Sequence, residues 1–284
     1  MKQVRSPKIF QQWTTRIRAK RETIGFVPTM GAFHKGHLSL IRAARKATDR
    51  VVVSIFVNPL QFNESKDFKC YPRNLARDLK LARQSGVDMV FVPSVRSLYG
   101  KDFQTRVRVH QLTQQLEGRA RPGHFEGVAT AVTKLLHLAQ PHIAYFGEKD
   151  AQQARVIQQM VTDLNWNLKI KVLPTIREAD GLALSSRNSR LTATQRRDAL
   201  CLSQALQTGR RLIRYTNSRK PLVLKEMRKV LRKAQRLQPE YIAIVDPVTF
   251  EPIERIRGTV RLLISGRVGT VRLIDTMLAK RRSS

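Results

Sequence analysis

The first 175 residues alternate short apolar runs with stretches of helical periodicity. Runs at Thr23–Val27, Val51–Val57, Met89–Val92, Arg106–Val109, Ile143–Phe146 and Leu168–Leu173 predict strands. Those at Val51–Val57 and Met89–Val92 are nearly continuous and β-rich, as strands buried on both faces of a parallel sheet are. Helical patterns fill the intervals at Leu38–Ala47, Leu75–Ser85, Val128–Ala139 and Gln152–Leu164. Such alternation predicts an α/β fold over residues 1–175, a doubly wound parallel sheet of Rossmann-like type. Past Thr175 the pattern changes. Leu191–Gln195 opens a helix with Thr192 as its N-cap. A second helix is expected over Pro221–Leu237, with Leu224, Met227, Val230, Leu231 and Ala234 on one face. Tyr241–Val245, Val260–Ile264 and Val271–Asp275 read as strands, so residues 176–284 predict a second, smaller α+β domain.

Composition narrows the class. The 284 residues suffice for one large or two ordinary domains, and 42% hydrophobic content is enough for a packed core. The charge is unusual: 53 Lys and Arg against 21 Asp and Glu give +32, a field that attracts polyanions in general. The basic residues run through the whole chain. Their densest stretch, 209–236, holds eleven Lys/Arg, one acid (Glu226) and one aromatic (Tyr215). With that single aromatic it offers no base-stacking platform and reads as a solvated helix face, and no specific nucleic-acid partner is expected. Cys70 and Cys201 form no Cys-x-x-Cys pair, which argues against zinc and fits a reducing compartment. Residues 1–21 are broken by charges, and no apolar run reaches membrane-spanning length. A cytoplasmic protein without a membrane partner is expected.

The candidate chemistry follows strands. Thr29-Met30-Gly31-Ala32-Phe33-His34-Lys35-Gly36-His37 links the first strand to the first amphipathic helix. That turn delivers two imidazoles, three residues apart, to a helix start whose free N–H groups and dipole attract phosphate. Gly147-Glu148-Lys149-Asp150 places an ammonium and a carboxylate after the Ile143–Phe146 strand, suited to phosphate and to ribose hydroxyls. Asp180–Asn188 is a polar loop whose Ser-Ser-Arg tip could close over a triphosphate, and Arg119–Gly127 is a Gly-bounded basic loop before a helix. Gln61 and Gln153 offer amides for a ligand carrying hydroxyls and a carboxylate. There is no Gly-x-x-x-x-Gly-Lys-Ser/Thr loop and no Gly-x-Gly-x-x-Gly after a strand, which excludes a P-loop and disfavours a dinucleotide dehydrogenase.

These motifs together resemble the pantothenate synthetase (pantoate–β-alanine ligase) family of the His-x-Gly-His nucleotidyltransferase-like superfamily. Val27–His37, Val53–Phe62, Tyr71-Pro72-Arg73, Arg121–Val128, Gln140–Gln153, Asp180–Asn188 and Arg272-Leu273-Ile274-Asp275 match in family order. One departure is Thr276, where the family usually has Asn; it is expected to lie far from the site. The resemblance implies ATP-dependent condensation of (R)-pantoate with β-alanine through pantoyl adenylate, releasing pyrophosphate and AMP. It implies catalytic roles for His37, His34 and Lys149. It implies ATP contacts from Met30, Gly31, Ala32, Phe33, His34, Lys35, Gly36, His37, Gly147, Glu148, Lys149, Asp150, Ile176, Leu184, Ser185, Ser186 and Arg187. Gln61 would hold pantoate and approach β-alanine, Gln153 would hold pantoate, and Tyr71 would assist around β-alanine. Mg2+ would ride on the ATP phosphates with no direct protein ligand, Asp78 standing behind it. A homodimer is implied, as is a C-terminal domain that closes over the site. Two rivals are a nucleotidylyltransferase, which needs a second basic pocket where Gln61 and Gln153 stand, and a nucleic-acid binder, which leaves the ordered motifs unexplained.

Overall fold

The computed structural model describes residues 1–215 and 219–281, which fall into two compact units. The first holds residues 1–147 and 153–174; the second holds 148–152 and the described residues from 175 onward.

In chain order the first unit runs β1 (Lys2–Val4), α1 (Pro7–Ala19), β2 (Ile24–Thr29), α2 (Lys35–Ala47), β3 (Arg50–Ile55), α3 (Ser65–Lys69) and α4 (Leu75–Gln84). It continues with β4 (Met89–Phe91), α5 (Val95–Leu98), α6 (Glu117–Ala120), α7 (His124–Ala139), β5 (Ile143–Gly147), α8 (Ala151–Asp163, from Gln153 onward in this unit) and β6 (Lys169–Leu173). The six strands lie in the order β1-β4-β3-β2-β5-β6, every pair parallel. Alternate residues of the central strands enter different cores. Phe26 and Val52 pack with Phe10, Phe91 and Leu136 on one face, while Val27, Val51 and Val53 pack with Leu40, Ile41 and Ala82 on the other. That two-sided burial is why these runs carry almost no polar residue. Strand order reverses beside β2, since β3 lies on one side of it and β5 on the other. The carboxyl ends of β2 and β5 therefore flank the switch point, where open α/β sheets bind ligands.

Three features depart from the pattern-based reading. β1 and α1 precede the first expected strand. Ser6 caps α1 by accepting from the Ile9 N–H at 3.4 Å, Pro7 opens it, and Phe10, Thr14 and Ile17 are buried at helical spacing. Residues 106–109 form no strand. Val107 and Val109 pack on the core, but the Val107 N–H donates to the Thr130 hydroxyl of α7 at 3.0 Å instead of to a neighbouring strand. Their alternation records one buried face, not a ladder.

The third departure lies in the second unit, built from α9 (Ala193–Tyr215), α10 (Lys220–Leu231) and an antiparallel sheet β7-β8-β9 (Leu237–Val245, Thr259–Val268, Val271–Lys280). α10 stops at Leu231 and Leu237 already belongs to β7. The helical spacing carried on through Ala234 and Leu237 because both pack on the same core as Met227 and Leu231. The expected cap of α9 is in place: the Thr192 hydroxyl accepts from the Gln195 N–H at 3.2 Å. No described helix is long and apolar enough to cross a membrane.

Candidate active site

The chain leaves β2 in a turn that bends through the left-handed region twice, at Gly31 (φ 82°) and Ala32 (φ 52°). Such a backbone is unfavourable for alanine and needs support from its surroundings. Asp78 of α4 provides it. Only 1% exposed, its carboxylate accepts from the N–H groups of Ala32 at 2.8 Å and Phe33 at 2.7 Å. A Cβ at Gly31 would stand 2.9 Å from Asp78 Oδ2, so the turn and the carboxylate fit only with glycine there. Burial pushes the Asp78 carboxyl above its ordinary range, and the two amide bonds pull the other way. The structure thus turns Asp78 toward the loop and makes it a brace.

Past the turn, His34 is the N-cap of α2 and His37 its third helical residue. His34 Nδ1 accepts from the Gly36 N–H at 3.1 Å, and His37 Nδ1 accepts from the His34 N–H at 3.4 Å. Imidazoles thus perform the exchange that Ser and Glu perform in a capping box. An Nδ1 that accepts a hydrogen bond carries no proton, so each neutral ring is protonated at Nε2. The rings lie together, centroids 4.1 Å apart, with Phe33 5.6 Å from His37. Two Nε2 donors at a helix N-terminus are suited to an anion, above all to one whose charge grows during reaction.

Gln61 is brought to the same turn: its Nε2 donates to Met30 Sδ at 3.0 Å, and its Oε1 accepts from Asn58 Nδ2 at 3.1 Å. Its backbone is clamped from Arg119–Gly127. Arg121 Nη2 donates to the Gln61 carbonyl at 3.0 Å and His124 Nδ1 at 2.8 Å, which leaves His124 Nε2 to accept from Arg121 at 3.1 Å. Gly127 lies against the Leu60 carbonyl so closely that a Cβ would come within 2.2 Å of its oxygen. Buried Tyr71 meets Phe62, next to Gln61, edge-on at 5.7 Å. Gln153 stands half-buried in the first turn of α8.

In the second unit Lys149 Nζ lies 3.5 Å from Asp150 Oδ1. The preceding Glu148 accepts from Arg261 at 3.1 Å. The 176–188 segment is pinned rather than loose. The Leu184 N–H donates to the Ile176 carbonyl at 3.0 Å, Asn188 Nδ2 reaches Glu178 and the Ala183 carbonyl at 3.0 Å each, and Ser185 Oγ caps the Arg187 N–H at 3.3 Å. Arg177 grips Asp275 with both nitrogens, at 2.7 and 2.9 Å. Thr276 is not remote from the residues of interest: its hydroxyl accepts from Arg261, the partner of Glu148, at 3.4 Å. Spacing along the chain hid this, because β9 returns its middle residues to β8.

The profile of the pantoate–β-alanine ligase family matches residues 2–278. The chain belongs to that family. Among curated relatives, pantothenate synthetase of Moorella thermoacetica is 48% identical over 268 residues, 94% of this chain and 95% of that protein. That of Thermotoga petrophila is 46% identical over 280 residues, 98% and 99% of the two chains. Pantothenate synthetase from Thermus thermophilus superposes with a TM-score of 0.92 at 42% identity, covering 98% of this chain and 99% of that one. A pantoate–β-alanine ligase from Francisella tularensis, solved with β-γ ATP and β-alanine, gives 0.82 at 36% identity, covering 98% and 97%. The reaction is the ATP-dependent, AMP-forming condensation of pantoate with β-alanine.

For this ligase, sequence reasoning missed the supports. Asn58, Arg121, His124, Gly127, Arg177, Arg261 and Asp275 receive no role of their own from the sequence, although all but Arg177 and Arg261 lie in segments that drew attention. Asn58 had a signal, as the residue before a Pro-opened turn, where its Oδ1 caps the Leu60 N–H at 3.2 Å.

Proposed function

We propose that ligation proceeds through pantoyl adenylate, with His37 and His34 donating from Nε2 to the ATP phosphates as charge builds on them. What supports this is the pair of imidazoles whose Nδ1 atoms are occupied by backbone N–H groups at the start of α2. The pantoate carboxylate attacks the α-phosphorus and pyrophosphate leaves; the β-alanine amine then attacks the acyl carbon and AMP leaves. Such chemistry needs positioning and charge stabilisation, not a protein nucleophile. Met30 to His37 line the phosphates and Lys149 adds a cation. Gly147 gives backbone room beside Glu148, and Asp150 takes ribose hydroxyls. The Ile176 backbone meets adenine, and Leu184 to Arg187 cover the triphosphate. Gln61 and Gln153 hold pantoate, with Gln61 and Tyr71 near β-alanine.

Magnesium bound with ATP would neutralise phosphate charge. Asp78 is buried with its carboxylate on the Ala32 and Phe33 amides; it acts through the loop it braces rather than as a direct ligand. Among the described residues no group of three or more His, Cys, Asp and Glu stands ready for a metal. A homodimer working in the cytoplasm completes the proposal. The test is to omit substrates in turn. Pyrophosphate release should require pantoate, ATP and Mg2+, and AMP release should also require β-alanine. AMP formed equally well without pantoate would overturn the route.

A further inference from the structure

Arg261 of β8 is a costly residue to keep where it is. Its side chain is 10% exposed and lies over the Phe250 ring at 6.0 Å, and burial pulls its pKa down. Its Nε is buried without a hydrogen-bond partner. A buried guanidinium contributes little net stability compared with an apolar side chain of similar volume, so its presence calls for another reason. Its polar contacts supply one. Nη2 donates to Glu148 Oε1 at 3.1 Å and Nη1 to Thr276 Oγ1 at 3.4 Å. Glu148 adjoins Lys149. Thr276 Oγ1 in turn donates to the Leu262 carbonyl at 2.8 Å, its N–H donates to Asp275 Oδ1 at 2.7 Å, and its carbonyl accepts from Arg177 at 3.3 Å. Arg177 adjoins Ile176 and bridges to Ala183. The segments 148–150 and 176–187 are therefore tied to the same stretch of β8 and β9 by one chain of buried and part-buried polar contacts.

We propose that Arg261 is a positioning residue for the ligase reaction: through Glu148 it fixes the segment presenting Lys149, and through Thr276 it holds that segment in register with Ile176 and the 184–187 turn. This rests on the assignment of Lys149 to the ATP phosphates. Thr276 takes part as an acceptor on one side and a donor on the other, a double role its hydroxyl can fill. The linkage acts on ATP, because both segments it joins are ATP segments, and leaves Gln61 and Gln153 alone.

The experiment compares Arg261→Gln, Glu148→Gln, the double variant and Lys149→Met, measuring kcat, KM for each substrate and Tm. Each single change at the Arg261–Glu148 pair should lower kcat/KM for ATP, by up to about 10²-fold for a displaced contact group, with pantoate KM near wild type. The double variant should be no worse than the worse single one, since both break one link. Multiplicative losses, or wild-type ATP kinetics in folded Arg261→Gln, would overturn the inference. Wild-type kinetics in Lys149→Met would overturn the underlying assignment of Lys149 instead. If Arg261→Gln fails to fold, Thr276→Val and Thr276→Ser decide: Val should weaken ATP use while Ser preserves it, and equal ATP kinetics in the two would sink the proposal.

Discussion

His37 combines a capping role with a proposed catalytic one, and one substitution can separate them. Its Nδ1 caps the backbone of His34, and its Nε2 is the proposed donor to phosphate. Gln at the same position can still cap, as it does in an ordinary capping box, but offers no imidazole. His37→Gln should keep Tm close to wild type while turnover falls on the order of 10²–10³-fold, the usual loss for a positioned donor to developing charge. Retained turnover would make the histidine a cap and nothing more. Asp78 invites the converse experiment. In Asp78→Asn the amide nitrogen must face one of the two loop N–H groups, breaking a bond inside the protein, at a cost of about 1–3 kcal/mol. The left-handed Ala32 then loses part of its support, so kcat should drop even though Asp78 is buried against the loop amides. Steady-state kinetics on the folded variant check this, and a wild-type kcat would show that the loop holds its shape unaided.

At the scale of elements, the site depends on close approach of backbones. α7 packs against the turn at Pro59–Gln61 with Gly127 at the contact, and any Cβ there meets Leu60 and the Gln61 nitrogen at 2.7 Å or less. Gly127→Ala should therefore push the turn away and carry Gln61 with it. Stability should fall by about 1–3 kcal/mol, as overpacking usually costs. Pantoate KM should rise several-fold more than ATP KM if Gln61 holds the acid substrate as proposed. Equal changes in the two constants would separate Gln61 from pantoate. Legibility differs sharply between elements for a related reason. The central strands and α2 announced themselves, since burial on two faces or one leaves its period in the residues. The 106–109 segment showed the same period without being a strand, because alternation reports which side chains are buried and is silent about what the backbone pairs with.

For the whole molecule, pH offers a test through His142, which precedes β5. Its Nδ1 accepts from the Ile24 N–H at 2.9 Å, at the first residue of β2, and Arg18 approaches Nε2 at 3.4 Å. Burial first, and then Arg18, hold its pKa below the ordinary 6.5. The unfolded chain therefore binds the proton first on acidification. The contribution of neutral His142 is present above the ordinary value and is lost as pH falls through that value toward the lower folded one. Tm should fall more between about pH 7.5 and 5.5 in the wild type than in His142→Asn, whose Oδ1 still accepts but cannot protonate. Parallel Tm curves would show that the ring does not carry this linkage. The +32 charge acts at the same scale but differently. Lys225, Lys229 and Arg232 are exposed on or just after α10, in keeping with a solvated face, and such a field steers anions without needing a site of its own.

The sequence by itself determined the α/β class, and it supplied the expected change of pattern near residue 175 and the segments proposed to carry chemistry. These are local properties: hydrophobic period, glycine and proline placement, and charged groups following apolar runs. The ordered motifs also sufficed to recognise the family, because their chemistry requires residue types at set spacings. Tertiary structure alone decided what holds those groups in place. Asp78 reaches back 45 residues to the Phe33 amide, and Arg261 reaches back 113 residues to Glu148. No spacing rule anticipates a partner chosen by how strands and helices meet in space. The assignment of 148–152 to the second unit has the same origin. The segment follows β5 in the chain, yet Glu148 is tied to β8 by a part-buried ion pair, and a contact of that kind exists only once the chain has folded.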